Sequence, residues 1–148
     1  MASIDRFQIM KESELEILKH WFENEDTRRR MDAMLPLEAW YERVSEDEDD
    51  TILMAYDGQL PAGMAVIEFG EKQTYIGLIV NPLYRLQGYG KQILKKLLNE
   101  PEFSRVREWT ASIEEDNQIS LACFQAVGFK LEETEPDDDG YFTLTLRC

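Results

Sequence analysis

From residue 12 to residue 25 the apolar positions Leu15, Ile17, Leu18, Trp21 and Phe22 recur at helical spacing. This predicts a first helix, with "TRRR" (27–30) ending or following it. Pro36 opens a second helical run with Leu37, Trp40, Tyr41 and Val44 on one side. It stops in "SEDEDD" (45–50), which reads as a solvated loop. The period then changes. "TILMAYD" (51–57), "AGMAVIEF" (62–69) and "TYIGLIV" (74–80) are β-branched runs separated by "DGQ" and "GEKQ", the signature of an antiparallel meander. A weak alternation at 6–10 adds a first strand.

Asn81 and Pro82 stop the 74–80 strand, because proline lacks a ladder donor and biases its predecessor away from helix. Helical spacing returns with Ile93, Leu94, Leu97 and Leu98 on one face, ended by Asn99 and Pro101. "RVREWTASI" (105–113) predicts a strand. Residues 117–127 predict a short helix with Asn117 as N-cap and Gly128 just past its end. "FKLEE" and "YFTLTLR", joined by "EPDDDG" (135–140), predict a closing hairpin. With no repeat and no linker, the 148 residues read as one α/β (α+β) domain of about seven strands and four helices.

Composition narrows the function. No run approaches the roughly 20 apolar residues of a membrane helix, and "MASIDRFQIM" lacks a secretory pattern, so a cytoplasmic location and no membrane partner are expected. Cys123 and Cys148 have no spacing that suggests a disulfide framework or a metal site. Thirty acidic against sixteen basic residues give a formal net charge of −14, which argues against a nucleic-acid binder and for cationic small molecules or basic peptides.

One stretch departs from this acidity. "RLQGYGKQILKK" (85–96) carries four positive side chains and no negative one, inside a window, 72–99, without any acidic residue. A strand, a short loop, two glycines and a helix follow in order. The N–H groups that open a helix have no partner within it and carry partial positive charge. Gly88 and Gly90 remove the side chains that would keep a ligand away from them. The pattern predicts a phosphate cradle. It is neither the dinucleotide fingerprint nor a Walker loop, since the order here is R-x-x-G-x-G with no G-K-[ST].

"VNPLYRLQGYGKQILKKLL" (80–98) resembles the acetyl-CoA motif of the GNAT N-acetyltransferase superfamily, Q/R-x-x-G-x-G/A after a strand, with Arg85, Gly88 and Gly90 at its fixed positions. "NQISLACFQAVGF" (117–129) is similar to the family's second motif through Asn117, Ser120, Phe124, Gly128 and Phe129. The resemblance implies a mixed, mostly antiparallel, V-shaped sheet splayed between strands 74–80 and 105–113, with acetyl-CoA in the opening. It places the pantetheine arm along Leu78, Ile79 and Val80. The diphosphate falls on the amides of Leu86, Gln87, Gly88, Tyr89, Gly90 and Lys91, beside Arg85. Asn117 and Phe124 line the arm.

The chemistry so implied is direct attack of a neutral amine on the thioester, with a backbone N–H near Ile79 or Val80 stabilising the oxyanion and proximity supplying much of the rate. Glu68, Glu71 and Glu114 are the candidate bases. The family commonly has tyrosine where this chain has Phe124, so the acid falls to solvent, to Ser120, or to Tyr75 or Tyr141. His20 reads as a surface residue, and Trp21, Trp40 and Tyr41 as core. The acceptor is expected to be a polyamine, an aminoglycoside-like molecule or a peptide amine, met by loops 24–36 and 135–140. Many members of the family dimerise, which leaves room for a homodimer. The alternatives are an inactive acetyl-CoA-binding sensor module, kept open by Phe124, and a glycine turn that serves packing alone.

Overall fold

The computed structural model describes residues 3–148. Its strands are β1 (Arg6–Ile9), β2 (Asp50–Asp57), β3 (Leu60–Phe69), β4 (Thr74–Val80), β5 (Glu108–Glu114), β6 (Lys130–Leu131) and β7 (Tyr141–Arg147). The helices are α1 (Leu15–Trp21), α2 (Glu25–Arg30), α3 (Leu37–Glu46), α4 (Tyr89–Leu98) and α5 (Gln118–Ala126). The strands form one sheet in the order β1-β2-β3-β4-β5-β7-β6. Every neighbouring pair is antiparallel except β4 and β5.

Helices cover both faces, which is why β2 reads as a nearly continuous apolar run. Ile52, Met54 and Tyr56 point toward Leu18, Trp21, Leu37 and Trp40 of α1 and α3. Leu53 on the other face joins Ala65, Ile67, Leu94, Leu97 and Phe124 under α4 and α5. Trp21 and Trp40 are core residues, as their spacing predicts.

The helix expected over 12–25 is not continuous, so the described residues form five helices where the pattern predicts four. Residues Glu12–Glu14 make a 3₁₀ turn, α1 ends at Trp21, and α2 starts afresh at Glu25. Two side chains explain the break. Glu14 is buried and accepts from the Tyr56 hydroxyl, from Gln8 Nε2 at 2.9 Å and from the Lys11 N–H at 2.7 Å, which pins the entry of α1 to the sheet. Asn24 Oδ1 accepts the Thr27 N–H at 3.0 Å and nucleates a second helix. "TRRR" therefore lies inside α2, whose acidic first turn and basic last turn suit the helix dipole. Strand β5 begins three residues later than the 105–113 expectation, because Pro101–Phe103 is a turn that buries Phe103 against Trp109. Among the described residues no helix is long and apolar enough to cross a membrane.

The split in the sheet positions the site. Strands β4 and β5 pair only at Thr74 with Trp109 and at Tyr75 with Thr110. Beyond that point they diverge, and among the described residues Leu78–Val80 pairs with no strand on the β5 side.

Candidate active site

Antiparallel register decides which main-chain groups face the gap. The Asn81 N–H donates to the Ala62 carbonyl at 2.8 Å, and the β3–β4 ladder runs without a shift from Gly63 with Val80 to Phe69 with Thr74. Bonding alternates along such a ladder. Ile79 therefore spends its N–H and C=O on β3, while Leu78 and Val80 turn theirs toward the opening. Of the two residues named for the oxyanion, Val80 has the free N–H.

Asn81 then ends the strand. It is buried, its Nδ2 donates to the Pro61 carbonyl at 2.9 Å, and its Oδ1 accepts the Leu83 N–H at 3.1 Å. The turn that follows is left-handed at two residues, Leu86 with φ 62° and Gly88 with φ 88°. Glycine takes this conformation without cost, whereas leucine does not. The N–H groups of residues 86–91 donate to no carbonyl among the described residues. A Cβ on Gly88 would meet nothing within 4 Å, so the amides there are open to a ligand.

A cleft of about 340 Å³ joins these two features. Leu78, Ile79 and Val80 form its floor, and Arg85, Leu86, Gly88, Tyr89, Gly90 and Lys91 its phosphate-cradle end. Asn117, Ser120 and Cys123 of the α5 region form a wall. Asn117 caps α5 by accepting the Ser120 N–H at 3.3 Å, which leaves its Nδ2 group for a ligand. Burial pushes the Cys123 thiol up to about 11 despite the pull of Lys91. The Tyr89 ring points the other way: it is buried, and its hydroxyl donates to Asp57 Oδ2 at 2.6 Å, a bond that with burial raises it to about 12.

The remaining wall comes from the 24–36 segment, expected as a loop on the acceptor side. It is α2, through Asp26, Thr27, Arg30 and Met31. Arg85 Nη1 lies 3.2 Å from Asp26 Oδ2, and Arg85 Nη2 donates to Thr27 Oγ1 at 2.6 Å. Asp26 also meets Arg29 at 2.9 Å and Arg30 at 3.2 Å. The Arg29 hydrogen bond, followed by the charges of Arg30 and Arg85, holds its carboxyl below the ordinary range against the effect of burial. Arg30 bridges to the end of β5, 3.4 Å from Glu114 and 2.9 Å from Asp116. Burial opposes its charge, but Asp116, Asp26 and Glu114 outweigh burial and raise its pKa. A capped helix start at Asn24 followed by "EDTRRR" was the available signal for α2; nothing in it points to a cleft.

The other named residues are placed as follows. Glu114 is half-buried at the end of β5 that has parted from β4, 3.4 Å from Arg30, and does not itself line the cleft. Glu68 is exposed and lies opposite Tyr75 in the ladder, at the end of β4 that still pairs with β5, so neither is brought to the cleft. Tyr75 receives a hydrogen bond from Gln73. Gln87 is exposed beside the cradle without lining it. Phe124 turns into the core, its ring edge-on to Phe129 at 5.1 Å, and presents nothing to the cleft. Tyr141 is half-buried, and its phenol is raised by burial and then by the carboxylates of Glu114, Asp32, Asp137 and Asp139.

Known proteins share this architecture. The family model described as Acetyltransferase (GNAT) family matches residues 15–129. The uncharacterized N-acetyltransferase YfmK of Bacillus subtilis (strain 168) is 76% identical over 147 residues, 99% of each chain. The spermidine N-acetyltransferase of Vibrio cholerae, in complex with CoA and spermine, superposes with a TM-score of 0.78 at 13% identity, over 96% of this chain and 94% of that one. The Campylobacter jejuni N-acetyltransferase PseH, in complex with acetyl coenzyme A, gives 0.71 at 15% identity, over 96% and 99%. At those identities the two structures establish the fold alone.

Proposed function

Because the chain belongs to the acetyltransferase (GNAT) family, we propose that it transfers the acetyl group of acetyl-CoA to a primary amine of a small cationic acceptor, by direct attack in a ternary complex. The observation that carries this reading is the meeting, in one cleft, of the open amides of residues 86–91 with the unpaired edge of β4 at Leu78 and Val80. These residues fit the cofactor: a helix start without side chains for the diphosphate, and a free strand edge for an arm that carries amides.

Acetyl-CoA supplies the activated acetyl thioester. The rest falls to this chain. Arg85 and the amides at the start of α4 hold the diphosphate. The main chain of Leu78 and Val80 and the Nδ2 group of Asn117 orient the arm. The Val80 N–H is aimed where an oxygen gains charge, a donor position commonly worth about 3 kcal/mol. Glu114, on the arm of the sheet opposite Val80, accepts the proton of the incoming ammonium. With Phe124 in the core, solvent protonates the departing thiolate. Asp32, Asp116 and Asp137 around Glu114 and Tyr141 favour a cationic acceptor, in keeping with the net charge of −14.

Release of free thiol from acetyl-CoA across a panel of polyamines, aminoglycosides and peptide amines tests this directly. Turnover with a cationic amine supports it. A second reading, an acetyl-CoA-binding module without turnover, is favoured by the burial of Phe124. Tight CoA binding with no thiol release across the panel would establish that reading instead.

A further inference from the structure

Arg85 opens the cradle, yet its guanidinium is engaged. Its partners, Asp26 at 3.2 Å and Thr27 at 2.6 Å, stand 59 and 58 positions earlier in the chain. Asp26 in turn holds Arg29 and Arg30, and Arg30 holds Glu114 and Asp116. Three guanidiniums, Arg29, Arg30 and Arg85, thus balance three carboxylates, Asp26, Glu114 and Asp116, in a chain that runs from the cleft wall to the end of β5. A diphosphate arriving at the start of α4 brings negative charge to the place where Asp26 already uses Arg85.

We infer that Asp26 is an internal competitor for the diphosphate. It keeps Arg85 in an ion pair that cofactor binding must break, and the freed carboxylate is then compensated by Arg29 and Arg30, which loosens Arg30 from Glu114. Asp26 therefore sets the affinity for the cofactor and links the diphosphate end of the cleft to the carboxylate end. A merely structural Asp26, one that only props Arg85 toward the ligand, requires the opposite sign: its removal would weaken binding. The inference rests on the acetyl-CoA reading of the cleft.

Calorimetric titration of CoA into the wild-type chain and into Asp26→Asn separates the two. Asparagine keeps the size and one acceptor oxygen and removes the charge. Removing one like charge beside the diphosphate is expected to tighten CoA binding roughly five- to fifty-fold. Equal or weaker binding by a folded Asp26→Asn protein overturns the inference. If thermal unfolding shows that the variant does not fold, the structure of the wild-type chain with CoA decides: Arg85 on the diphosphate and parted from Asp26 supports it, and Arg85 still paired with Asp26 overturns it. A wild-type chain that binds no CoA refutes the acetyl-CoA reading itself, and this inference with it.

Discussion

Gly90 faces Cys123 so closely that a Cβ on the glycine would lie 2.9 Å from the cysteine Sγ. The same Cβ would stand 3.4 Å from Val80 Cγ2 and 3.7 Å from Leu78 Cδ2. The second glycine of the turn is therefore where α4, α5 and β4 converge, at the wall of the cleft. Gly90→Ala is expected to cost about 1–3 kcal/mol through overpacking. Because the tightest contact is a short side chain, Gly90→Ala with Cys123→Ala should recover most of that loss. Denaturant unfolding of the two singles and the double checks it, and additive losses would mean that the backbone rather than the thiol is in the way.

Gly88 sits two residues earlier for a different reason. Its φ is 88° and no atom stands within 4 Å of a built Cβ, so the constraint is conformational and not steric. Gly88→Ala should lose about 1–2 kcal/mol, Gly88→Asn less, since asparagine enters the left-handed region more readily. Cys123→Ala should rescue neither. Equal losses from alanine and asparagine in unfolding experiments would count against this account.

These two glycines also show what the sequence made legible. Their spacing, after a strand and before Ile93, Leu94 and Leu97, marks the cradle, and the family motifs carry the sheet and its split. What stayed hidden is long-range. Arg85 pairs with a carboxylate 59 residues away, and no local pattern encodes that. Leu86 takes a positive φ that its residue type does not announce. Glu68 and Glu114 look alike as strand-end carboxylates. Only the register, with β4 and β5 paired at one end alone, puts Glu114 at the open end of the split and Glu68 at the closed end. Phe124, a motif position, is claimed by Phe129 and the core.

The Tyr89–Asp57 bond ties the start of α4 to the end of β2, and its pH dependence has a definite sign. Tyr89 is raised from its ordinary 10 to about 12, by the Asp57 bond first and burial second. A group whose folded pKa lies above its unfolded one gives stability that is complete below the unfolded value and fades as pH climbs through the folded value. The stability difference between wild type and Tyr89→Phe should therefore be constant from pH 7 to about 9. It should shrink between about 10 and 12. A difference independent of pH would show that the hydroxyl contributes by packing alone.

Cys123 provides a reporter inside the cleft. It is half-buried, with its thiol raised to about 11, whereas Cys148 is exposed. At pH 8 the thiolate fraction of such a group is on the order of one in a thousand, and the thiolate is the reactive form. Iodoacetamide should therefore modify Cys148 first and Cys123 slowly, and CoA should slow Cys123 further without affecting Cys148. Mass spectrometry of digested samples over time reads both rates. Unchanged labelling of Cys123 under saturating CoA would place the ligand elsewhere.

Glu114 tests the chemistry. If its carboxylate takes the proton of the acceptor, Glu114→Gln removes the base while keeping an oxygen for Arg30, the partner now 3.4 Å away. General-base removal typically costs about 10²- to 10⁴-fold. The expected outcome is a fall of that size in kcat with the KM for acetyl-CoA little changed. Glu68→Gln, at the closed end of the sheet, should leave kcat unchanged. An unchanged kcat in Glu114→Gln would assign the proton to water alone and reduce Glu114 to a partner of Arg30.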